Sequence, residues 1–134
     1  MPRDDGDQPV RLLIVEDDPR VRVALRRFLS SASDEIEVVG DAGSRDSALR
    51  LAQDLAPTVA LVDIHLPNPA DGLGLLRALT DLGVPVVAIS IHGSVCDSAL
   101  AAGARHFLDK DSEPDLIVAA LRAAATRRPS PDST

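Results

Sequence analysis

Five short apolar runs, at residues 12–15, 36–39, 59–62, 86–89 and, more weakly, 106–108, recur along the chain with an amphipathic stretch after each. Val, Ile and Leu dominate them, and polar residues scarcely interrupt them. Uninterrupted runs of this length suit strands covered on both faces, because a strand with one face in water alternates polar and apolar residues. The spacing leaves room for a helix between each pair of runs and after the last.

The intervening stretches carry helical patterns. In the first, Val21, Ala24, Leu25, Phe28 and Leu29 share a face, with Arg20, Arg22, Arg26 and Arg27 mostly on the other. Pro19 suits a first helical turn and Asp18 an N-cap. A second helix is expected after Ser44, running to about Ala56 and ended by Pro57. A third starts near Asp71, its first turn weakened by Gly72 and Gly74. A fourth covers about 94–102 and stops at Gly103. The fifth covers about 112–128, opening on Ser112 and Asp115 at capping-box-like spacing and ending before Pro129. Strand and helix alternating five times predict an α/β fold, a three-layer sandwich with right-handed crossovers. The 134 residues suffice for one such domain. Its expected bounds are residues 10–128, with 1–9 a flexible flank and 129–134 a linker or tail.

Composition narrows the function. A net charge of −7 disfavours nucleic-acid binding by this domain, so DNA would be reached only through another. One cysteine, Cys96, rules out an internal disulfide framework and fits a reducing cytoplasm. No apolar stretch nears the roughly 20 residues that span a bilayer, so no membrane partner is expected. Phe28 and Phe107 are the only aromatic residues, which excludes ligand recognition by aromatic stacking.

The polar residues fall where chemistry would need them. Glu16, Asp17 and Asp18 follow the first run, Asp63 closes the third, Ser90 the fourth and Lys110 the fifth. Open α/β sheets bind ligands beyond the carboxyl ends of their strands. Two carboxylates about 5 Å apart repel by roughly 3 kcal/mol at an effective dielectric near 20. Lys110 offers one positive charge against Glu16, Asp17 and Asp63, so a hard, oxygen-seeking cation such as Mg2+ is the natural complement. An aspartate so placed can attack a phosphoryl group, with metal, lysine and hydroxyl neutralising its oxygens. Taken singly, Asp17 or Asp18 would serve as a helix cap, Asp63 as a turn residue, and Ser90 and Lys110 as loop residues. Their joint placement at four strand ends is what favours a site.

These residues resemble the response-regulator receiver family over about residues 10–128. Leu12-Leu13-Ile14-Val15-Glu16-Asp17-Asp18 is similar to its acidic pocket and Val62-Asp63-Ile64-His65-Leu66-Pro67 to its phosphorylation loop. Ile89-Ser90 matches the switch hydroxyl, and Phe107-Leu108-Asp109-Lys110 the segment ending in the family lysine. The resemblance implies a flavodoxin-like (βα)5 sandwich with parallel sheet order 2-1-3-4-5, an order for which a chemotaxis receiver is an established example. It implies that Asp63 accepts a phosphoryl group from a histidine kinase and that Asp17 binds Mg2+ directly. Glu16 would act on the metal through water, and the His65 backbone carbonyl would complete the protein ligands. Lys110 would pair with the phosphoryl group, Ser90 would move towards it, and Phe107 would change rotamer with the switch. His65 and His92 occupy positions that tune the lifetime of the phosphoryl group, although exposed loop histidines would look the same. Residues 110–116 resemble the subset with a LuxR-type helix-turn-helix output domain.

The chain departs from the family pattern twice. Asn68, Pro69 and Ala70 separate Pro67 from Asp71-Gly72, one residue more than usual. Asp111 stands where most relatives have a proline after the lysine, so a trans Lys110–Asp111 bond is expected.

The implied function is a switch: phosphorylation biases a face built from the fourth helix, fifth strand and fifth helix towards dimerisation or output docking. Beyond self-phosphorylation and autodephosphorylation at Asp63, no enzymatic activity is expected. A single-domain phosphotransfer shuttle and a receiver-like interaction module that is never phosphorylated remain as competitors. A metal-dependent phosphatase acting on external substrates is a third, and the short loops leave it little room.

Overall fold

A computed structural model describes residues 9–32, 34–64, 69–90, 96–110 and 112–126. Among these, five strands alternate with five helices. The strands are β1 (Val10–Val15), β2 (Ile36–Ala42), β3 (Val59–Asp63), β4 (Val86–Ser90) and β5 (His106–Asp109). The helices are α1 (Pro19–Ala32), α2 (Arg45–Leu55), α3 (Pro69–Asp81), α4 (Cys96–Ala101) and α5 (Pro114–Thr126). All strands pair in parallel, in the order β2-β1-β3-β4-β5, as the family resemblance implies.

Side-chain alternation along the central strands divides the core into two halves. Leu13 and Val15, Ala60 and Val62, Val86 and Ala88 join Ala48, Leu75, Leu79 and Ala99 on the face covered by α2, α3 and α4. Leu12 and Ile14, Val59 and Leu61, Val87 and Ile89 join Leu29, Ile117 and Leu121 under α1 and α5. Each fully buried aliphatic side chain contributes about 1.5–3 kcal/mol, and covering both faces is what lets these strands be apolar throughout.

The helix boundaries reflect local chemistry. Asp18 caps α1, its Oδ1 accepting the Arg20 N–H at 2.9 Å. Ser44 caps α2 by accepting the Ser47 N–H, and Ala56 ends that helix in the left-handed region just before Pro57. Gly103, at φ +117°, turns the chain after α4, where a side chain would be strained. The stretch at 94–95, expected to open α4, lies outside the described residues, as does 127–128 at the expected end of α5.

Three expectations need correction. The second run does not stop at 39: β2 continues to Ala42, with a register shift that pairs Leu12 with Val38 but Leu13 with Gly40. Gly40 and Asp41 hid this extension from an apolar pattern, and an extra residue in one strand is how a bulge re-aims the side chains beyond it. The fifth helix opens at Pro114 rather than on Ser112, and the Glu113 carbonyl accepts the Leu116 N–H at 2.9 Å. Proline at the first helical position costs no hydrogen bond and sets φ in advance, so it overrides the Ser112–Asp115 spacing. The third helix starts at Pro69, two residues earlier than expected. Two of the three residues between Pro67 and Asp71 are therefore helical, and Asn68 lies outside the described residues.

Candidate functional site

β1 and β3 are neighbours at the centre of the sheet, so the residues at their carboxyl ends emerge side by side. Glu16 and Asp63 are buried, at 1% and 4% exposure, while Asp17 is exposed. One carboxylate oxygen from each of Glu16, Asp17 and Asp63 lies within 4.8 Å of the others. Lys110 arrives from the end of β5, its backbone N–H held by the Ser90 carbonyl at 3.0 Å. Its Nζ donates to Glu16 Oε1 at 2.8 Å and to Asp63 Oδ2 at 3.0 Å. Glu16 Oε2 also accepts the Asp18 N–H at 3.2 Å. The Asp17 carboxylate joins the same cluster without a hydrogen bond or ion pair to any of the described residues.

Burial is the largest influence on Glu16 and raises its pKa, assisted by the charge of Asp63. The Lys110 hydrogen bond and the Asp18 N–H oppose that rise without cancelling it. Burial also works against the charge on Lys110, but hydrogen bonds and attraction from Glu16 and Asp63 outweigh it and raise its pKa. The ammonium therefore stays charged between two carboxylates throughout the neutral range.

The donor chemistry fits Mg2+. Three carboxylates face one ammonium, an excess of negative charge that a hard divalent cation would relieve. Opposite oxygens around Mg2+ stand roughly 4.2 Å apart at ordinary bond lengths, close to the spread of this cluster. Both Glu16 oxygens already accept hydrogen bonds, whereas Asp17 is unclaimed, so Asp17 suits direct ligation better than Glu16 does.

The segment after Asp63 is fixed from below by α3. A Cβ on Gly72 would stand 1.7 Å from the Ile64 carbonyl oxygen, so only glycine allows this helix to lie against the backbone one residue beyond Asp63. Gly72 thus has a packing reason for its place, rather than being merely a weak point of α3.

The structure brings Glu16, Asp17, Asp63 and Lys110 together. Ser90 is fully buried at the end of β4, one residue past the Asp63–Ile89 pair. Phe107 is half-buried on β5 opposite Ala88 and packs against the α2–α4 half of the core. His65, with its carbonyl, His92 and Asp111 lie outside the described residues, and so do the side chains of Cys96 and Pro69. Sequence reasoning assigned Arg22 and Asp41 no part in the site, although both stand next to it. Arg22 Nη1 donates to the Glu16 carbonyl at 2.7 Å and its Nε lies 3.3 Å from Asp41 Oδ1. No spacing in α1 marks either residue, because the contacts that join them to the site are made across the tertiary fold.

A doubly wound parallel sheet of this order, with an acid cluster and a lysine at its carboxyl edge, defines a flavodoxin-like α/β protein of the receiver type. Comparison with known proteins agrees. The model of the response regulator receiver domain matches residues 12–122. The nitrate/nitrite response regulator NarL of Escherichia coli K12 is 34% identical over 123 residues, covering 90% of this chain and 56% of that protein. LiaR of Bacillus subtilis is 33% identical over 128 residues, covering 92% of this chain and 60% of that protein. Among solved structures, the NarL signal receiver domain from Mycobacterium tuberculosis superposes with a TM-score of 0.79 at 34% identity, covering 90% of this chain and 99% of that one. This chain belongs to the response-regulator receiver family of two-component signalling. It spans little more than half the length of the curated relatives NarL and LiaR.

Proposed function

We propose that Asp63 is the phosphoacceptor of this receiver domain and that Glu16, Asp17 and Lys110 make it one. The observation that carries this reading is the buried Asp63 carboxylate, hydrogen-bonded to Lys110 and within reach of two further acids. A carboxylate oxygen of Asp63 attacks the phosphorus of a phosphohistidine on a partner kinase. The P–N bond breaks as the O–P bond forms, and the departing imidazole keeps the bonding pair. Mg2+ bound by Asp17 and Asp63, and by Glu16 through water, would supply positive charge opposite the phosphoryl oxygens. Lys110, already within hydrogen-bond distance of Asp63, supplies the second positive charge. The His65 carbonyl is assigned the remaining protein ligand position.

Downstream of transfer, Ser90 takes a hydrogen bond from Lys110 at its backbone and offers its hydroxyl to the new phosphoryl group. Phe107, half-buried on the edge strand, repacks with that motion. The α4–β5–α5 face then dimerises or docks an output domain, which for LiaR, named a transcriptional regulatory protein, would be regulatory. DNA is contacted only through such a domain. His65 and His92 tune how long the phosphoryl group survives before Asp63 releases it to water. No helix among the described residues is long and apolar enough to cross a membrane, and we place the protein in the cytoplasm with its kinase. The receiver unit is residues 10–128.

Labelling with a small phosphodonor in Mg2+ tests the central claim. Wild type incorporates hydroxylamine-sensitive phosphate, and Asp63→Asn, which keeps the shape but not the nucleophilic charge, incorporates none. Labelling of Asp63→Asn at the wild-type rate would overturn the assignment.

A further inference from the structure

Arg22 on α1 touches the acidic pocket through its backbone rather than through its acids. The Glu16 N–H donates to the Ala42 carbonyl at 3.0 Å, and the Glu16 carbonyl accepts from Arg22 Nη1 at 2.7 Å. Arg22 is itself held: its Nε lies 3.3 Å from Asp41 Oδ1, and Asp41 Oδ2 takes a second cation, Arg26. The guanidinium lies over Gly43, where a Cβ would stand 2.5 Å from Nη1, so a bare backbone leaves its path clear. Arg22 is only 23% exposed, and burial strengthens a charge-assisted hydrogen bond of this kind.

The peptide plane makes this arrangement matter to the metal ligands. The Glu16 carbonyl oxygen and the Asp17 Cα belong to one rigid planar unit. Anchoring the oxygen fixes rotation about the Glu16 Cα–C bond, and with it the direction in which Asp17 leaves the strand. The Glu16 side chain has Lys110 and the Asp18 N–H to hold it, but Asp17 is exposed and is aimed by its backbone. We propose that Arg22, braced by Asp41, is a positioning residue that aims the Asp17 carboxylate at the metal by clamping the Glu16–Asp17 peptide.

The inference rests on the reading of the acid cluster as an Mg2+ site, and titration calorimetry with Mg2+ on the whole chain separates the two. Arg22→Met weakens Mg2+ binding by about tenfold, the lower end of what loss of an outer-shell partner costs. Arg22→Lys, which reaches one partner but not both, recovers part of that loss. Asp41→Asn weakens binding less, and adds nothing in the Arg22→Met background, because the two residues act as a unit. Arg122→Met on α5, which removes a surface pair with Glu35 in the turn before β2, leaves the affinity unchanged. Circular dichroism melts confirm that each variant is folded at the assay temperature; were Arg22→Met unfolded, Arg22→Lys and Asp41→Asn decide the matter. Wild-type affinity in folded Arg22 and Asp41 variants, with binding lost in Asp17→Asn, overturns the positioning role and leaves the metal site standing. Equal affinity in wild type and Asp17→Asn overturns the metal site and the positioning role together.

Discussion

On β1 and β3 every residue from Leu12 to Glu16 and from Val59 to Ile64 is buried, and the acids at their ends inherit that fixity. The other side of the carboxyl edge is built differently. β5 is the edge strand, its His106, Phe107 and Leu108 are half-exposed and Asp109 is exposed, while α4 spans only Cys96–Ala101. Leu100 on α4 and Leu116 on α5 leave 45% and 57% of their area to solvent. Segments with little buried apolar area open at lower free energy than a central strand does. The half that carries the acid cluster is enclosed, and the half proposed to report on it is not. Lys110 belongs to both, with its backbone at the end of β5 and its ammonium between Glu16 and Asp63.

The sharpest way to break this contrast is at the enclosed half. Gly72→Ala drives a Cβ into the Ile64 carbonyl, which is backbone and cannot swing aside. A loss of about 3 kcal/mol in urea unfolding, or failure to fold, is expected, the upper range for overpacking. Gly74→Ala, two residues on in the same helix, meets only the flexible end of Arg45 at 3.4 Å. It should be neutral or gain up to about 1 kcal/mol in helix propensity. Equal effects at the two glycines would mean that α3 does not press on the backbone behind Asp63.

Those two glycines also show what a sequence can convey. Both looked like weak points of a helix, because propensity is local and the Ile64 carbonyl is eight residues away. The strands of the central sheet were legible to within a residue or two, since burial on both faces forces a continuous apolar run. β2 was legible only to residue 39, because Gly40 and Asp41 on an edge strand carry no apolar signal. The cluster of Glu16, Asp17, Asp63 and Lys110 was legible because strand ends in a parallel sheet converge whatever the side chains do. The Arg22–Asp41 brace was not: it depends on the register shift in β2, a tertiary feature that no spacing in α1 encodes.

A smaller effect tests the electrostatics of the enclosed half. Burial raises the Glu16 pKa above its ordinary value, so the folded metal-free protein holds that proton more tightly than the unfolded chain. The corresponding stability is fully present below about pH 4.5 and is lost as pH rises through the raised folded value. Glu16→Gln removes this dependence, so the urea midpoint of the metal-free variant should exceed that of wild type near neutrality. Mg2+ should stabilise wild type increasingly as pH rises over the same window, because the metal displaces the proton. For Lys110 the sign is the same but the window lies at the alkaline end. Its raised pKa keeps the ion pairs intact at neutrality, and their contribution fades only above about pH 10.5. A metal-free Glu16→Gln variant less stable than wild type at neutral pH would show that the buried carboxylate is compensated rather than strained.

The smallest stability change is expected on the face proposed to read the response. Leu116 on α5 is more than half exposed, so Leu116→Ala should move the unfolding free energy by no more than about 0.5 kcal/mol. Labelling at Asp63 should also be untouched, since Leu116 lies outside the acid cluster. What should change is self-association of the phosphodonor-treated protein, measured by sedimentation velocity at several concentrations: an exposed leucine on a docking face is lost to the complex, not to the fold. A Leu116→Ala variant that associates like wild type would remove α5 from the responding face. One that instead loses several kcal/mol of stability would show the open half to be as tightly built as the strands behind Asp63, and the division between a fixed chemical half and a yielding one would fail at its weaker side.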